Sequence, residues 1–164
     1  METVRPQIRL FDDGDAGAVV DLSLRAWAPV FASLERVLGS DLFDGLNPEG
    51  WRESQRRAVL DVCASRDRQV WVAEAGAGVV GFVAVELHRK ESMGEIYMLA
   101  VDPGHQGGGI GTALTEFALD RIKDSGMAVA MVETGGDPGH AAARRTYEKA
   151  GYTLLPIARY FKKL

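Results

Sequence analysis

The 164-residue sequence holds a single cysteine, no long apolar run and no cluster of basic residues. Because Cys63 is alone, an intramolecular disulfide and a cysteine-based zinc site are both excluded, and a reducing compartment is favoured. No apolar stretch approaches the ~18 residues that would cross a bilayer, and the N-terminal segment lacks the apolar core of a signal peptide. We therefore expect a cytoplasmic protein with no membrane partner.

The chain also has little positive charge to offer a polyanion. It carries 19 Lys and Arg against 23 Asp and Glu, a net charge of −4, and its basic residues are scattered. This balance disfavours nucleic acid as the main partner. The hydrophobic fraction of 46% and the charged fraction of 26% are ordinary for globular proteins, so we expect one domain over residues 1–164.

Apolar spacing predicts helices in the first third of the chain. A short strand precedes a helix capped by Asp12 or Asp13, and we expect Pro29 to interrupt this helix. Helical spacing resumes up to Gly39 and returns once more up to about Ser65. Four aromatic residues of this region are expected to pack the helices onto a sheet, with the lining of a pocket as the alternative. They are Trp27, Phe31, Phe43 and Trp51.

Strand spacing takes over in the middle of the chain. Three segments between residues 69 and 102, rich in valine or other strand-forming residues, predict consecutive strands, of which the first two form a hairpin. Helical spacing then runs from Ile110 to a left-handed cap at Gly126, a buried-looking strand follows, and Asp137 caps the last helix. One or two closing strands are expected over residues 152–164. This order predicts a mixed sheet with helices on both faces.

A glycine-rich stretch, DPGHQGGGIGTAL from Asp102 to Leu114, joins the third predicted strand to a helix. It lacks the lysine of a P-loop, and it fails the dinucleotide fingerprint in both registers. Clustered glycines let backbone N–H groups crowd together, and the following helix presents its unsatisfied N–H groups and positive dipole end at the same point. A diphosphate fits such a cradle, and a flexible exposed loop is the alternative.

The segment IYMLAVDPGHQGGGIGTAL resembles the signature of the GNAT superfamily of acyl-CoA-dependent N-acyltransferases, whose loop reads [Gln/Arg]-x-x-Gly-x-[Gly/Ala] after a strand. A second segment, HAAARRTYEKAGY, is similar to the family's Asn-x-x-Ala-x-x-x-Tyr-Glu-Lys-x-Gly-[Phe/Tyr] motif. Two ordered motifs are more specific than either alone, and close resemblance covers about residues 70 to 160. The resemblance implies an α+β fold, a three-layer α/β/α arrangement with a central mixed, mostly antiparallel sheet.

The resemblance also implies acetyl-CoA as the acyl donor, with its pyrophosphate on the loop N–H groups and its pantetheine along a strand edge. The implied cofactor-binding residues are Leu99, Ala100, Val101, Gln106, Gly107, Gly108, Gly109, Ile110, Gly111, Thr112, His140 and Ala143. Two of them depart from the family pattern. Gly108 stands where relatives often carry a basic or polar side chain, and His140 replaces the usual Asn. Arg144 and Arg145 are therefore considered as helpers for the phosphates.

Two catalytic side chains are implied by the same resemblance. Tyr147 occupies the family's tyrosine position and is expected to protonate the leaving thiolate, whereas Glu95 stands where some relatives place the base that deprotonates the acceptor amine. An amide N–H near Leu99 or Ala100 is expected to polarise the thioester carbonyl. The structural alternatives are a core aromatic role for Tyr147 and a solvated strand-end charge for Glu95.

No metal site is expected, because the histidines have no ligand-like spacing with one another. The three histidines are His88, His105 and His140. Cys63 lies outside both motifs and has no histidine adjacent in sequence, so we expect no covalent enzyme intermediate.

The sequence thus predicts transfer of an acetyl group from acetyl-CoA to a primary amine by direct attack in a ternary complex. A non-catalytic acyl-CoA-binding sensor or interaction module of the same fold is the alternative. Glu133 and Thr134, beside the cofactor groove in the resembling fold, are candidates for contacting a cationic acceptor. The acceptor itself and the oligomeric state, a homodimer included, are left open.

Overall fold

Five strands form a mixed sheet in the computed structural model, which describes residues 5–76 and 78–164. The strands are β1 Gln7–Leu10, β2 Arg68–Ala75, β3 Gly78–His88, β4 Met93–Val101 and β5 Val129–Val132. Their order in space follows the chain, with antiparallel pairing from β1 to β4 and a parallel pair of β4 and β5. The predicted mixed, mostly antiparallel sheet is confirmed.

Five α-helices accompany the sheet in the described ranges. They are α1 Ala16–Leu38, α2 Ser40–Leu46, α3 Trp51–Ala64, α4 Ile110–Asp124 and α5 Ala141–Lys149. The expected break at Pro29 is wrong, because α1 runs through this residue. A proline inside a helix loses the hydrogen bond that its N–H would donate one turn back, and its ring crowds the carbonyl there. Buried side chains on both sides of Pro29, Leu22 and Ser33, nevertheless keep α1 packed along its length.

Each face of the sheet carries its own apolar core. α4 packs on one face, where Leu114 is buried with Val83 of β3. α1 and α3 pack on the other face, where Leu22 and Val59 are buried with Phe82. Because successive side chains of a strand point to opposite faces, the adjacent residues Phe82 and Val83 serve the two cores. The predicted three-layer α/β/α arrangement follows.

The aromatic residues of the first helices make two kinds of contact. Trp27 of α1 meets Phe82 edge-on, with ring centroids 6.3 Å apart, and so packs a helix onto the sheet. Phe31 instead stacks on Trp51 of α3 at 4.5 Å and meets Phe43 of α2 edge-on at 6.3 Å. The expectation of helix-to-sheet packing is therefore right for Trp27, whereas the other three rings join helices to each other.

The predicted closing strands are wrong, because residues 152–164 contain no strand. The chain leaves α5 through Gly151, whose φ is +95°, and the apolar side chains from Leu154 onward are exposed, with Tyr160 at 90%. A strand needs a partner edge as well as strand-forming residues, and in the described residues this segment pairs with none. β5 is consequently an edge strand, and it is half-exposed instead of buried as its sequence suggests.

No helix within residues 5–76 or 78–164 has both the length and the apolar character needed to cross a membrane.

Gly94 of β4 lies directly under α4. A Cβ at this position would lie 2.5 Å from Cγ2 of Ile122 and 3.0 Å from its Cβ. Because Ile122 is 2% exposed and branched at Cβ, it cannot turn aside without shifting α4.

We predict that Gly94→Ala lowers the free energy of unfolding by about 1–3 kcal/mol through overpacking. Gly45→Ala in α2 is the matched control, because nothing lies within 4 Å of the added Cβ and this residue is helical. The control should not lower stability. Urea denaturation measures both variants, and equal midpoints would contradict the close contact between β4 and α4.

Candidate functional site

β4 leaves its parallel neighbour halfway along its length. The two strands pair from Met93↔Val129 to Ile96↔Val132, where β5 ends. β4 continues to Val101, so in the described residues the edge of its second half that would face β5 is open. The predicted pantetheine edge, Leu99 to Val101, lies in this open part.

A bulge marks the point of divergence. β3 pairs Val85 with Ile96 and Ala84 with Met98, which leaves Tyr97 as an extra residue in β4. An extra residue bends a strand and increases its local twist. The bulge therefore accounts for the separation of β4 from β5, and the sequence alone gave no signal for it.

The loop after β4 brings the glycines to the end of this open edge. A single 3-10 turn over Pro103–His105 is followed by Gly107 and Gly109, whose φ values are +80° and +87°. These values lie in the left-handed region, which glycine adopts without steric penalty. Two of the predicted glycines are therefore required by the backbone itself.

The beginning of α4 supplies the free donors. Its first hydrogen bond runs from the N–H of Ala113 to the carbonyl of Gly109, at 2.9 Å. The N–H groups of Ile110, Gly111 and Thr112 precede this bond and have no partner inside the helix. Together with the positive end of the helix dipole, they form an anion-binding arrangement.

Asp102 and Gln106 hold the loop in place. Asp102 accepts a hydrogen bond from Gly104 N–H at 2.9 Å and forms an ion pair with Arg25 of α1. The pairing with Arg25, helped by Gly104, lowers the pKa of Asp102 below its ordinary value. The side-chain amide of Gln106 donates to the carbonyl of Val101 at 3.0 Å. The Gln106 side chain thus anchors the loop to the end of β4.

A groove of about 320 Å³ opens over the start of α4. Its lining includes Gly108, Gly109, Thr112, Glu116, Arg5 and Lys149. Arg5 and Lys149 bring positive charge to a loop whose own position 108 has none, and Glu116 brings one negative charge. Neither cation lies near the glycine loop in the sequence. Lys149 belongs to the second motif, but the motif gave no indication that this side chain lies beside the loop.

A buried carboxylate, that of Asp137, ties α1 to the segment before α5. It accepts hydrogen bonds from the hydroxyl of Ser33 at 2.7 Å and from Gly139 N–H at 3.1 Å, and it contacts Nδ1 of His140. Burial alone would raise the pKa of Asp137, but the hydrogen bonds from Ser33 and His140 and the charge of His140 outweigh it, so the pKa is lowered. The carboxylate fixes the proton of His140 on Nδ1.

Close packing and a further cation support the same segment. A Cβ on Gly139 would lie 2.6 Å from Cβ of Ser33, and one on Gly135 would lie 2.5 Å from Nδ1 of His140. Arg144 donates to the carbonyls of Gly135 at 2.6 Å and Asp137 at 2.8 Å. The Arg144 guanidinium is therefore engaged with backbone, whereas Arg145 is exposed.

Tyr147 of α5 pairs with Tyr152, the two rings meeting edge-on at 5.9 Å. Burial raises the pKa of Tyr147 to about 12. Burial also raises the pKa of Tyr152 to about 12, and repulsion between the two phenolates adds to this effect. The hydroxyl of Tyr152 is buried and has no hydrogen-bond partner among the described residues. Tyr147 is thus a neutral hydroxyl at neutral pH, available as a hydrogen-bond and proton donor.

Glu95 lies on the face of β4 away from α4, because Gly94 and Ile96 on either side of it face that helix. Its Oε1 is 2.9 Å from Nε2 of His88 at the end of β3. The two side chains are 18% and 30% exposed. Hydrogen bonding to Glu95 raises the pKa of His88, and the charges of the surrounding glutamates add to this effect.

Glu86 and Arg68 complete this polar group. Glu86 lies opposite Glu95 across the strand pair and forms an ion pair with Arg68 of β2 at 2.9 Å. The Arg68 guanidinium also lies 3.8 Å from the centre of the Tyr97 ring. One ligand atom each from Glu86, His88 and Glu95 lies within 4.8 Å of the others, although both carboxylates already have protein partners. That the protein needs no metal stays a prediction.

Two other candidates from the sequence lie apart from these groups. Cys63 on α3 is partly buried, and burial together with the charge of Asp15 raises its pKa to about 11, which keeps the thiol protonated and poorly nucleophilic. Glu133, directly after β5, is exposed and accepts a hydrogen bond from Arg159 at 2.8 Å. Thr134 beside it is partly buried.

Comparison with known proteins identifies a family with matching sequence and fold. Residues 66–154 match the family model described as the acetyltransferase (GNAT) domain. The mycothiol acetyltransferase of Streptomyces avermitilis is 38% identical over 82 residues, which cover 50% of this chain and 26% of that protein. The mycothiol acetyltransferase of Amycolatopsis mediterranei is 32% identical over 156 residues, covering 89% and 46%. The chain thus spans less than half the length of these curated relatives.

The backbone resembles that of a solved structure, the PaiA N-acetyltransferase from Thermoplasma acidophilum in complex with coenzyme A. The TM-score is 0.68 at 14% identity, and the match covers 93% of this chain and 92% of the other. At this identity the likeness shows the fold. Because the family model covers more than half of the sequence, the chain belongs to the GNAT acetyltransferase family.

Proposed function

We propose that the protein is an N-acetyltransferase that moves the acetyl group of acetyl-CoA to a primary amine. The observation that carries this proposal is the open edge of β4, which ends at a glycine loop and the free N–H groups of α4. Pantetheine contains two amides, so it can bond to an open strand edge as an added strand would. Its diphosphate then reaches the start of α4. The coenzyme A complex of the PaiA relative, which has this fold, supports the choice of donor.

The cofactor is held in this proposal mainly by backbone. Leu99, Ala100 and Val101 offer the strand edge, and the loop from Gln106 to Thr112 surrounds the diphosphate. His140 and Ala143 border the site from the segment that Asp137 fixes. Since Gly108 has no side chain, Arg5 and Lys149 in the adjoining groove supply the positive charge for the remaining phosphate of the cofactor.

The reaction requires the nitrogen to lose two protons. An acceptor ammonium has three N–H bonds and the product amide has one, while the C–N bond forms and the C–S bond breaks. One proton ends on the thiolate of coenzyme A, and the other leaves to solvent. Tyr147 gives its hydroxyl proton to the thiolate, and its phenolate recovers one of the two protons that the nitrogen loses. Glu95 removes the other proton from the acceptor ammonium, and this proton is the one that leaves to solvent. Direct attack in a ternary complex is favoured because Cys63 is held as a thiol.

Proton transfer from buried Tyr147 to an ordinary thiolate is uphill. A phenol pKa of about 12 against about 8.5 for an ordinary thiol corresponds to roughly 5 kcal/mol. The burial that raises the tyrosine pKa also raises that of a thiol placed beside it, and this narrows the gap. A dry site that disfavours both anions is therefore compatible with Tyr147 as the donor.

Binding and turnover separate an enzyme from a sensor that only holds acyl-CoA. We expect calorimetry to detect acetyl-CoA binding, and Gly109→Val to weaken it about 10-fold or more, because a branched residue at φ +87° is strained by about 1–3 kcal/mol. Gly17→Ala in α1 is the control, since nothing lies near its Cβ.

Thiol release from acetyl-CoA is then followed with amines, amino acids, aminoglycosides and peptides. Binding without turnover on any of them would favour the sensor.

Tyr147→Phe tests the proton donor. We expect kcat to fall by about 10²–10⁴ with little change in acetyl-CoA affinity, because the ring is kept and only the hydroxyl is lost. Tyr160→Phe is the matched control, since it removes the same hydroxyl from a residue outside α5 and outside both motifs. An unchanged kcat for Tyr147→Phe would leave Tyr147 as a packing residue.

We further propose that the chain forms a homodimer through residues 152–164. This segment exposes apolar side chains such as Leu155 at 75% and Ile157 at 70%, while Val129 on the free edge strand β5 is 56% exposed. Exchange of the segment between two copies related by a two-fold axis would cover both surfaces. Light scattering should give the mass of two chains, and Leu155→Asp with Ile157→Asp should give one. A single-chain mass for the unchanged protein would contradict the proposal.

A further inference from the structure

The contact between His88 and Glu95 joins two neighbouring strands on one face of the sheet. Strand pairing places His88 opposite Met93 and Glu95 opposite Glu86, so His88 and Glu95 are diagonal neighbours on this face. The imidazole Nε2 lies 2.9 Å from the Glu95 carboxylate, within hydrogen-bond distance. The exposure of the pair rises outward, from 18% at Glu95 to 30% at His88. The arrangement leads from the sheet to solvent.

We propose that His88 is a positioning residue for Glu95 and the exit for the proton that Glu95 removes from the acceptor. This inference rests on the proposed function. In the step, the acceptor ammonium gives a proton to the Glu95 carboxylate, which becomes a carboxylic acid. In the resting pair, Nε2–H of neutral His88 donates to the Glu95 carboxylate. Once Glu95 is an acid, the ring proton of His88 moves from Nε2 to Nδ1 by exchange with water, and Nε2 then accepts the proton of the acid to give an imidazolium. The imidazolium releases its Nδ1 proton to solvent, and both side chains return to their starting states.

The surrounding charges suit such a relay. His88 faces Glu95 of β4, with Glu86 of its own strand and Glu91 of the following turn nearby, and Arg68 of β2 neutralises Glu86. The glutamates stabilise the imidazolium, so His88 accepts the proton readily.

The negative charges of these glutamates also set the pH range of the activity. When His88 is already protonated it donates to the Glu95 carboxylate and makes it a weaker base, so activity should fall as the pH drops through the raised pKa of His88.

Two substitutions separate the proton role from a packing role. His88→Gln keeps a hydrogen-bond donor for Glu95 but does not titrate, and His88→Phe removes both properties. We expect His88→Gln to lower kcat about 10-fold, less than the 10²–10⁴ of a base that acts directly, with KM for acetyl-CoA unchanged. Its acidic limb should move to lower pH. Lys90→Gln, an exposed change in the same turn, should keep the wild-type limb and kcat.

The contact itself is measured without turnover. An NMR titration of the His88 ring should give a pKa above that of an exposed imidazole, and Glu95→Gln should lower it, because the carboxylate that stabilises the imidazolium is gone. Asp61→Asn, on the exposed surface of α3, should leave it unchanged. Melting temperatures of all variants show which ones are folded.

Each outcome decides the proposal. An unchanged His88 pKa in Glu95→Gln overturns the contact. An unchanged kcat and pH limb in His88→Gln, with the contact intact, overturns the relay and leaves His88 a structural neighbour of Glu95. If no amine in the screen is acetylated, the proposed function fails and the relay with it, while the titration still reports the contact. A displaced limb in His88→Gln with an unaltered melting temperature supports the relay.

Discussion

The separation of β4 from β5 is the constraint on which the site depends. A single extra residue, Tyr97, bends β4 away while the two strands remain paired below it. The bend leaves an open strand edge beside a hydrogen-bonded part of the same sheet. That edge runs directly into the glycine loop, which Gln106 anchors by its bond to Val101. One local irregularity thus produces the open edge that meets the glycine loop.

Much of this could be predicted from the sequence, because the signals were local. Strand spacing predicted β2 to β4, and the cap at Asp137 predicted the start of the last helical segment. The glycine-rich stretch predicted the loop between β4 and α4. The motif around Tyr147 belongs to the same class of signal, since neighbouring residues carry it.

The wrong predictions have a common physical cause. Each concerns a feature that depends on residues close in space and distant in the sequence. Pro29 suggested a helix break because proline has no N–H to donate and crowds the preceding turn. The burial of α1 on both sides of Pro29 outweighs this local cost. Residues 152–164 looked like strands because their side chains suit a sheet, but strand formation also needs an edge. The contact of His88 with Glu95 and the position of Lys149 beside the glycine loop were not predicted, because strand pairing and helix packing create them.

The two proposed proton positions differ in their access to water, and the reaction needs that difference. The proton given to the thiolate stays in the product, so its donor works best where water cannot compete, and Tyr147 is buried enough to raise its pKa to about 12. The proton taken from the amine must leave, so its acceptor works best with a route outward, and Glu95 contacts the more exposed His88. If the two environments were exchanged, the proton taken from the amine would have no route to solvent, and water would compete for the proton that Tyr147 gives to the thiolate. Because Glu95 lies on β4 and Tyr147 on α5, the fold can give each proton its own surroundings.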